Sequence, residues 1–314
     1  PDGDILPHWF DPVAAAFVLD GDGPRFMQDL ALSNEPGKPS PIAEILIDAP
    51  GESSVDGNKD LFVKRGVVLQ MCSDCAAAAV LTLQINAPEG GRGHYTGLRG
   101  GGPLTTLLSR PGSSSLWQVL WLNVTETTHG SSIPADAGSP VSQDTFPWIG
   151  TVDQLQPPGG SITSAQVNQM HAFWAMPRRV RLDFETAPVP RHCSICDRPR
   201  SVLSSRFRSR PNGLDYPSNA WLHPLSPYRE KDGSWLPLRP RGDGLGYRHW
   251  LAWVAAVGTS VQRRAWVVDH ALTHRQRQLG GQLCLWAFGY EMRKDNPICW
   301  HEGTLPLFDL AACD

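Results

Sequence analysis

Four of the seven cysteines stand in two Cys-x-x-Cys pairs, Cys72 with Cys75 and Cys193 with Cys196. Each pair can present two thiolates from one tight turn, and a tetrahedral zinc ion takes four such soft ligands. The start, PDGDILPHWF, has neither the basic stretch nor the apolar segment of a signal peptide, so paired knuckles fit zinc better than a disulfide framework. A redox pair, or thiols that happen to be buried, is the alternative reading. Four thiolates leave no open coordination position, so the expected cofactor is structural Zn2+ with no catalytic role. The two pairs lie far apart in the chain, and the ion would tie distant segments together.

A second cluster lies between Gln84 and Leu108, where seven glycines fall within the thirteen residues from Gly90 to Gly102. Glycine leaves the backbone bare, which suits close approach to a phosphate or a base edge. It also marks ordinary tight connections, and the composition alone does not choose between the two. No Gly-Lys-Ser/Thr follows, which removes the P-loop, and Gly91-x-Gly93-x-x-x-Gly97 misses the dinucleotide fingerprint by one residue.

Basic side chains gather around the second knuckle: Arg191, Arg198, Arg200, Arg206, Arg208 and Arg210. Each can neutralise one phosphate, but Arg206, Arg208 and Arg210 at period two equally describe one solvated strand face. Tyr228-Arg229-Glu230-Lys231-Asp232-Gly233 reads as a hairpin tip, with Asp-Gly setting the turn. Enzyme signatures are weak. His270 and His274 have metal-chelating spacing, but no glutamate follows the first in the metalloprotease pattern, so a helix surface or interface fits better. His301-Glu302 has no second histidine in register, Gly-x-Ser-x-Gly does not occur, and the acidic residues form no recognisable two-metal cluster. The expectation is a protein without catalysis.

The elements that must position these groups are short. Gly 30 and Pro 28 in 314 residues predict many loops and few long helices, and twelve tryptophans predict a well-buried, irregular α/β core. Ser73 or Asp74 caps a helix through the alanines to about Asn86. SLWQVLWLNV, capped by Ser113 to Ser115, is apolar on nearly every face and is expected to be buried. Arg179 to Phe184 and Val202 to Ser209 alternate as strands, Val261 to Leu279 reads as a long amphipathic helix, and Gln282 to Tyr290 as a buried strand. The polar stretch from Glu126 to Gly160 is the candidate place for a boundary. No run is apolar enough to cross a bilayer, and the chain reads as cytoplasmic with no membrane partner. A net charge of −3 means that any nucleic-acid contact must come from local basic clusters.

Specific strings say more than composition. GLRGGGPLTTLL, preceded by CSDCAAAAVLTLQIN and APEGGRGHYT, resembles the large subunit of the type I-E CRISPR surveillance complex, the CasA family of Cascade. Further matching pieces follow in the family's order: PRFMQ from Pro24, Asp60-Leu-Phe-Val, FPWIG from Phe146, HAFWAMPRRVRLDF from His171, WLHPLSPYREKDGSWLPL from Trp221 and FGYEMRKDNPICWHE from Phe288. Together they cover nearly the whole chain.

The resemblance implies one large, loop-rich, mixed α/β domain over residues 1–314 with an embedded four-cysteine zinc site, the same two cysteine pairs recurring in order. It also implies that the family's extreme N-terminal segment and C-terminal four-helix bundle lie outside this chain. The implied role is antiviral defence: recognition of the protospacer-adjacent motif in target double-stranded DNA, with guide RNA, the other Cascade subunits and the helicase-nuclease as partners. Gly90, Gly91 and Gly93 align with backbone that approaches the minor groove, and Arg92, where the family can have glycine, either adds a phosphate contact or blocks close approach. The family's lysine finger falls on Lys231, or on Arg229 in another register, a fitting task for a long cation on a tight hairpin. The wedge that parts the strands falls on Arg293 and Lys294, followed by Asp295 and Asn296, and is therefore cationic, suited to holding displaced phosphates. Leu61, Phe62, Val63, Lys64 and Arg65 match the mobile loop near the base of the guide RNA and the place where target enters.

The competing reading is a stand-alone zinc-dependent enzyme acting on nucleic acid, with His94, His171 or His270 as general base. A metal-dependent nicking activity of the isolated chain would favour it.

Overall fold

The computed structural model describes residues 5–33, 39–60, 63–88, 90–91, 93–112, 115–124, 141–245, 253, 262–275, 282–293 and 296–307. Among them the strands are β1 (Pro39–Pro41), β2 (Thr105–Ser109), β3 (Arg179–His192), β4 (Pro199–Arg210), β5 (Tyr228–Lys231), β6 (Ser234–Pro237), β7 (Gln262–Arg263), β8 (Leu283–Arg293) and β9 (Asn296–Leu307). The helices are α1 (Ile5–Phe10), α2 (Glu52–Asp56), α3 (Ser73–Asn86), α4 (Leu116–Leu122), α5 (Val152–Leu155) and α6 (Trp266–His270). This is the expected mixed class, with small three-stranded sheets in the orders β1-β4-β3, β2-β8-β9 and β6-β5-β7. The chain divides into two compact units, residues 1–98 with 133–216, and residues 99–132 with 217–314. One crossing lies in the polar stretch 126–160; another cuts the glycine-rich string between Leu98 and Arg99.

The first unit is organised by the long β3–β4 hairpin, which is antiparallel with register shifts after Asp183 and after Thr186. Val180, Leu182, Leu203 and Phe207 are buried along it. Two glutamines supply the backbone partners that regular structure does not. Gln28 accepts from Leu182 N–H at 2.9 Å, and Gln84 of α3 donates to the carbonyls of Arg178 (2.9 Å) and Met27 (3.2 Å) while accepting from Arg178 N–H at 3.0 Å. Buried amides persist where every donor and acceptor is met. Asp29 and Arg179 form a buried ion pair. Phe17, Phe26, Phe146, Trp148 and Trp174 make an edge-to-face cluster, and the Trp148 indole N–H donates to Ala16 O at 2.6 Å.

In the second unit the inner face of β8 (Leu283, Leu285, Ala287) packs with Leu104, Leu108, Val267, Val268 and Leu307. On its other face Cys284 is buried and Trp286, Phe288 and Tyr290 are half-buried, so the strand expected to be buried over 282–290 is buried at its start and alternates after Leu285.

Three other expectations are corrected. The helix expected over 261–279 begins only at Trp266, because Gln262 and Arg263 pair with Arg229 and Tyr228 of β5; residues 276–280 lie outside the described ones. Leu116, Trp117 and Leu120 of α4 are exposed and only Leu122 is buried, since two turns offer the core one side. Of the tryptophans, Trp148, Trp221 and Trp253 are core residues, but Trp9, Trp117 and Trp300 are exposed.

Candidate metal centre and nucleic-acid interface

Helix α3 starts at Ser73, and its N-cap is Cys72, not the serine or aspartate the sequence suggested. The second pair sits at the tip of the β3–β4 hairpin, where Asp197 takes a left-handed φ of 56° and its N–H bonds Cys193 O at 2.9 Å. The segment before Cys72 fastens to that tip: Ser194 N–H donates to Gln70 O at 2.9 Å, Ser194 Oγ accepts from Leu69 and Gln70, and Met71 exchanges bonds of 2.8 Å with Ser204. The four Sγ atoms consequently lie within 4.8 Å of one another, with Cys72 and Cys196 3.8 Å apart. A tetrahedral ion with Zn–S of about 2.3 Å requires S···S separations of about 3.8 Å, so the donor set fits zinc. Burial raises the Cys72 and Cys75 thiols. At Cys193 burial acts the same way, but backbone N–H groups of Cys196, Cys72 and Ile195 outweigh it and bring the thiol down to about 6. Cys72, Cys75, Cys193 and Cys196 would hold the ion, whose contribution is to cross-link α3 to the hairpin. Among the described residues no other group of three or more His, Cys, Asp or Glu is close enough to share an ion.

The glycine-rich string is two structures. Gly100, Gly101 and Gly102 are buried in the second unit, where the guanidinium of Arg99 donates to Thr105 Oγ1 and Ser226 Oγ at 3.0 Å; here the tight-connection reading applies. Gly90 and Gly91 are exposed on the first unit in a small loop closed by Gly90 N–H to His94 O (3.3 Å) and His94 N–H to Gly91 O (2.9 Å). Gly93 is held at φ 81°, where a Cβ would fall 2.5 Å from Asn212 Oδ1, whereas a Cβ on Gly91 would meet nothing within 4 Å. Bare backbone at Gly91 is thus open to a ligand without being demanded by packing. Arg92 lies outside the described residues. Arg178, which the sequence reading did not single out, lies under this loop; two adjacent arginines in MPRRVRL, of which β3 buries the second, were the available signal.

In the second unit, Lys231 pairs with Ser234 across a two-residue turn in which Asp232 and Gly233 both have positive φ (51° and 75°). That is the turn geometry Asp-Gly favours. Lys231 is exposed at the tip, while Arg229 is half-buried and lines a cleft of about 660 Å³ with Arg239, Arg241 and Glu291. Of the two cations, Lys231 adjoins the turn and Arg229 lies two residues further into the strand. β8 and β9 form a hairpin closed by the Arg293–Asn296 pair, both exposed; Lys294 and Asp295 between them lie outside the described residues.

Residues 63–65 continue an exposed turn, with Leu61 and Phe62 outside the described residues. Arg65 is committed to the loop itself: it donates to Asp60 (Nε–Oδ2 2.6 Å), Val55 O and Asn58, and holds the Asp60 carboxyl below its ordinary range. Val63 and Lys64 remain exposed. On the hairpin, Arg206, Arg208 and Arg210 stand opposite Asp183, Arg181 and Arg179. Arg208 pairs with Asp183 at 3.3 Å and Arg200 with Asp74 at 3.6 Å, leaving Arg191, Arg198 and Arg206 as the exposed cations.

The histidines have other work. His171 is fully buried; its Nδ1–H donates to Asp144 O at 3.0 Å and its Nε2 accepts from Tyr216 O–H at 2.8 Å, so both nitrogens are occupied. His270 stacks on Trp266 with ring centroids 4.6 Å apart; the side chain of His274 lies outside the described residues. His94 is half-buried.

These features define a mixed α/β protein with four cysteines gathered within metal-binding distance, an exposed glycine loop and a hairpin tip carrying an exposed lysine. The family model of CRISPR-associated protein Cse1 matches residues 1–314, and the chain belongs to that family. Among solved structures, Thermus thermophilus CasA (Cse1) is 18% identical with a TM-score of 0.64, covering 99% of this chain and 59% of its own. A CRISPR RNA-guided surveillance complex is 18% identical with a TM-score of 0.66, covering 98% of this chain and 59% of the other. Cse1 from Acidimicrobium ferrooxidans is 16% identical with a TM-score of 0.56, covering 99% and 58%. The chain therefore spans less than two thirds of the length of these relatives, and at such identities the likeness is one of fold. No curated protein matches. No helix among the described residues is long and apolar enough to cross a membrane.

Proposed function

We propose that this chain is the motif-reading part of a non-catalytic DNA-recognition subunit of a CRISPR RNA-guided complex. In this reading Gly90, Gly91 and Gly93 present bare backbone to the minor groove of the duplex carrying the protospacer-adjacent motif, and Lys231 enters that groove. The hairpin end at Arg293, Lys294 and Asn296 parts the strands, and Val63 and Lys64 face guide RNA and incoming target. The four-cysteine Zn2+ site is structural, residues 1–314 act as one recognition module, and the helicase-nuclease that cuts is recruited from outside in the cytoplasm. Minor-groove reading is degenerate and the guide carries most of the sequence information, so backbone, one lysine and a wedge suffice.

The observation that carries the reading is the exposed Gly90–Gly91 backbone in a chain of the Cse1 family. The occupied nitrogens of His171 and the stacked ring of His270 weigh against the zinc-enzyme alternative. The test is to add the full-length protein to a guide-RNA complex lacking it, and compare binding to matched duplexes with and without candidate motifs. Motif-dependent binding that weakens with Lys231→Ala or Gly91→Asp is expected. Binding indifferent to the protein would sink the proposal, and metal-dependent nicking by the chain alone would favour the enzyme.

A further inference from the structure

Beneath the exposed glycine loop sits an arginine, Arg178, that no carboxylate among the described residues neutralises. Among the described residues Arg178 pairs with no acid; its Nη2 donates to Pro88 O and its buried Nε has no partner. Nη1 lies directly under the loop, 3.1 Å from where a Cβ on Gly90 would stand. The backbone of Arg178 is held on both sides by Gln84 of α3, and the bond from Nη2 to Pro88 O fastens the guanidinium at the base of the loop. Burial brings the guanidinium down to about 10, and the neighbouring His94 is lowered by its own burial and by Arg178. Arg178 therefore stays charged at neutral pH. The buried Nε is out of reach of any ligand, whereas Nη1 faces the loop, and a partly buried cation without a counter-ion is costly to keep unless an anion meets it there.

We propose that Arg178 is the cation of the glycine loop, and that its Nη1 edge receives one phosphodiester of the DNA duplex as the duplex backbone settles against Gly90 and Gly91. The proposal rests on the glycine-loop reading above and adds its electrostatic half. Bare glycine sets how near the strand can come, and Arg178 supplies the charge that holds it there. The Nη1 donor gives a phosphate oxygen a charge-assisted hydrogen bond, and a phosphate contact positions the duplex without reading its sequence.

The test compares the wild-type full-length protein with Arg178→Gln, Arg178→Lys and Gly91→Asp in the assembled guide-RNA complex, measuring duplex affinity on several motifs over a range of salt. Loss of one phosphate contact lowers the slope of log K against log[salt] by about 0.9. Arg178→Gln should show that drop with equal weakening on every motif, Arg178→Lys should keep the wild-type slope, and assembly should be unaffected. An unchanged slope with Arg178→Gln, while Gly91→Asp abolishes binding, overturns the role of Arg178 and leaves the loop reading intact. Binding indifferent to Gly91→Asp brings down the loop reading itself. If Arg178→Gln fails to assemble, neutral methylphosphonates placed one at a time beside the motif decide the matter with wild type and Arg178→Lys. One phosphate whose neutralisation removes about 0.9 of slope in both proteins, at a smaller cost in affinity in the lysine variant, which lacks the planar guanidinium, is expected. No such phosphate overturns the proposal.

Discussion

The backbone N–H of Cys72 points at Sγ of Cys193 at 3.3 Å, joining the start of a helix to the tip of a hairpin across 121 residues of sequence. This contact places the least flexible atom of one knuckle on the thiol of the other. The purified protein is therefore expected to hold one zinc per chain. Cys72→Ser or Cys193→Ser should lower metal content below one equivalent and reduce the melting temperature, and chelation of the wild type should do the same. Structural zinc contributes on the order of 10 kcal/mol in small sites, and part of that is folding energy here. A chain that melts identically with and without chelator would rule out the cross-link.

His171 predicts an acid-sensitive fold. Its burial, against a modest opposing effect of the Asp144 carbonyl, lowers its pKa from 6.5 to about 4. The folded value lies below the unfolded one, so the unfolded chain takes up the proton first. Stability is complete above pH 6.5, falls as pH drops toward 4, and then levels off; the total loss is roughly 3 kcal/mol. Buried His223, lowered by burial and by Arg99, acts with the same sign. Urea midpoints at pH 7, 5.5 and 4 in excess zinc should decline for the wild type and decline less for His171→Gln.

Tyr216→Phe tests the same centre without titration. The phenol donates to His171 Nε2 and accepts from Met176 N–H at 3.1 Å, so its removal strands two buried polar groups. A loss of about 2 kcal/mol in unfolding free energy is expected. A loss near zero would mean that the His171 ring has another partner.

Neighbouring glycines should separate folding from binding. Gly93→Ala meets Asn212 and Pro211 at a left-handed φ and should cost about 1–3 kcal/mol of stability. Gly91→Ala, with open space around it, should leave the melting temperature within about 1 °C while weakening duplex binding in the assembled complex. Equal effects of the two on melting would contradict the loop geometry.

The β5–β6 tip offers a parallel contrast. Lys231→Ala should leave stability within about 0.5 kcal/mol, because the side chain is exposed, yet reduce motif-dependent binding. Gly233→Ala, at φ 75°, should destabilise the turn by about 1 kcal/mol and reduce binding only through the displaced Lys231. Thermal melts and duplex affinities of both variants check this.

Local chemistry made much of this protein legible before any coordinates. The cysteine spacing picked out the four thiols that gather at one place, because a Cys-x-x-Cys turn is a local geometry, and Asp232-Gly233 named a hairpin, because positive φ at both positions is a property of those two residues. Alternation revealed β3 and β4 for the same reason, although not their full lengths. What sequence could not decide was set by neighbours distant in the chain. One glycine-rich string became a surface loop at Gly91 and a buried connection at Gly101 because two different packed units claim its halves. A helical pattern at Gln262 and Arg263 was overridden by the open edge of β5. Arg65 is tied to its own loop because Asp60 lies within reach, and Arg178 stands out because no acid among the described residues pairs with it. Propensity and spacing are written residue by residue, whereas burial and charge compensation depend on which distant groups arrive beside them, and only the folded chain decides that.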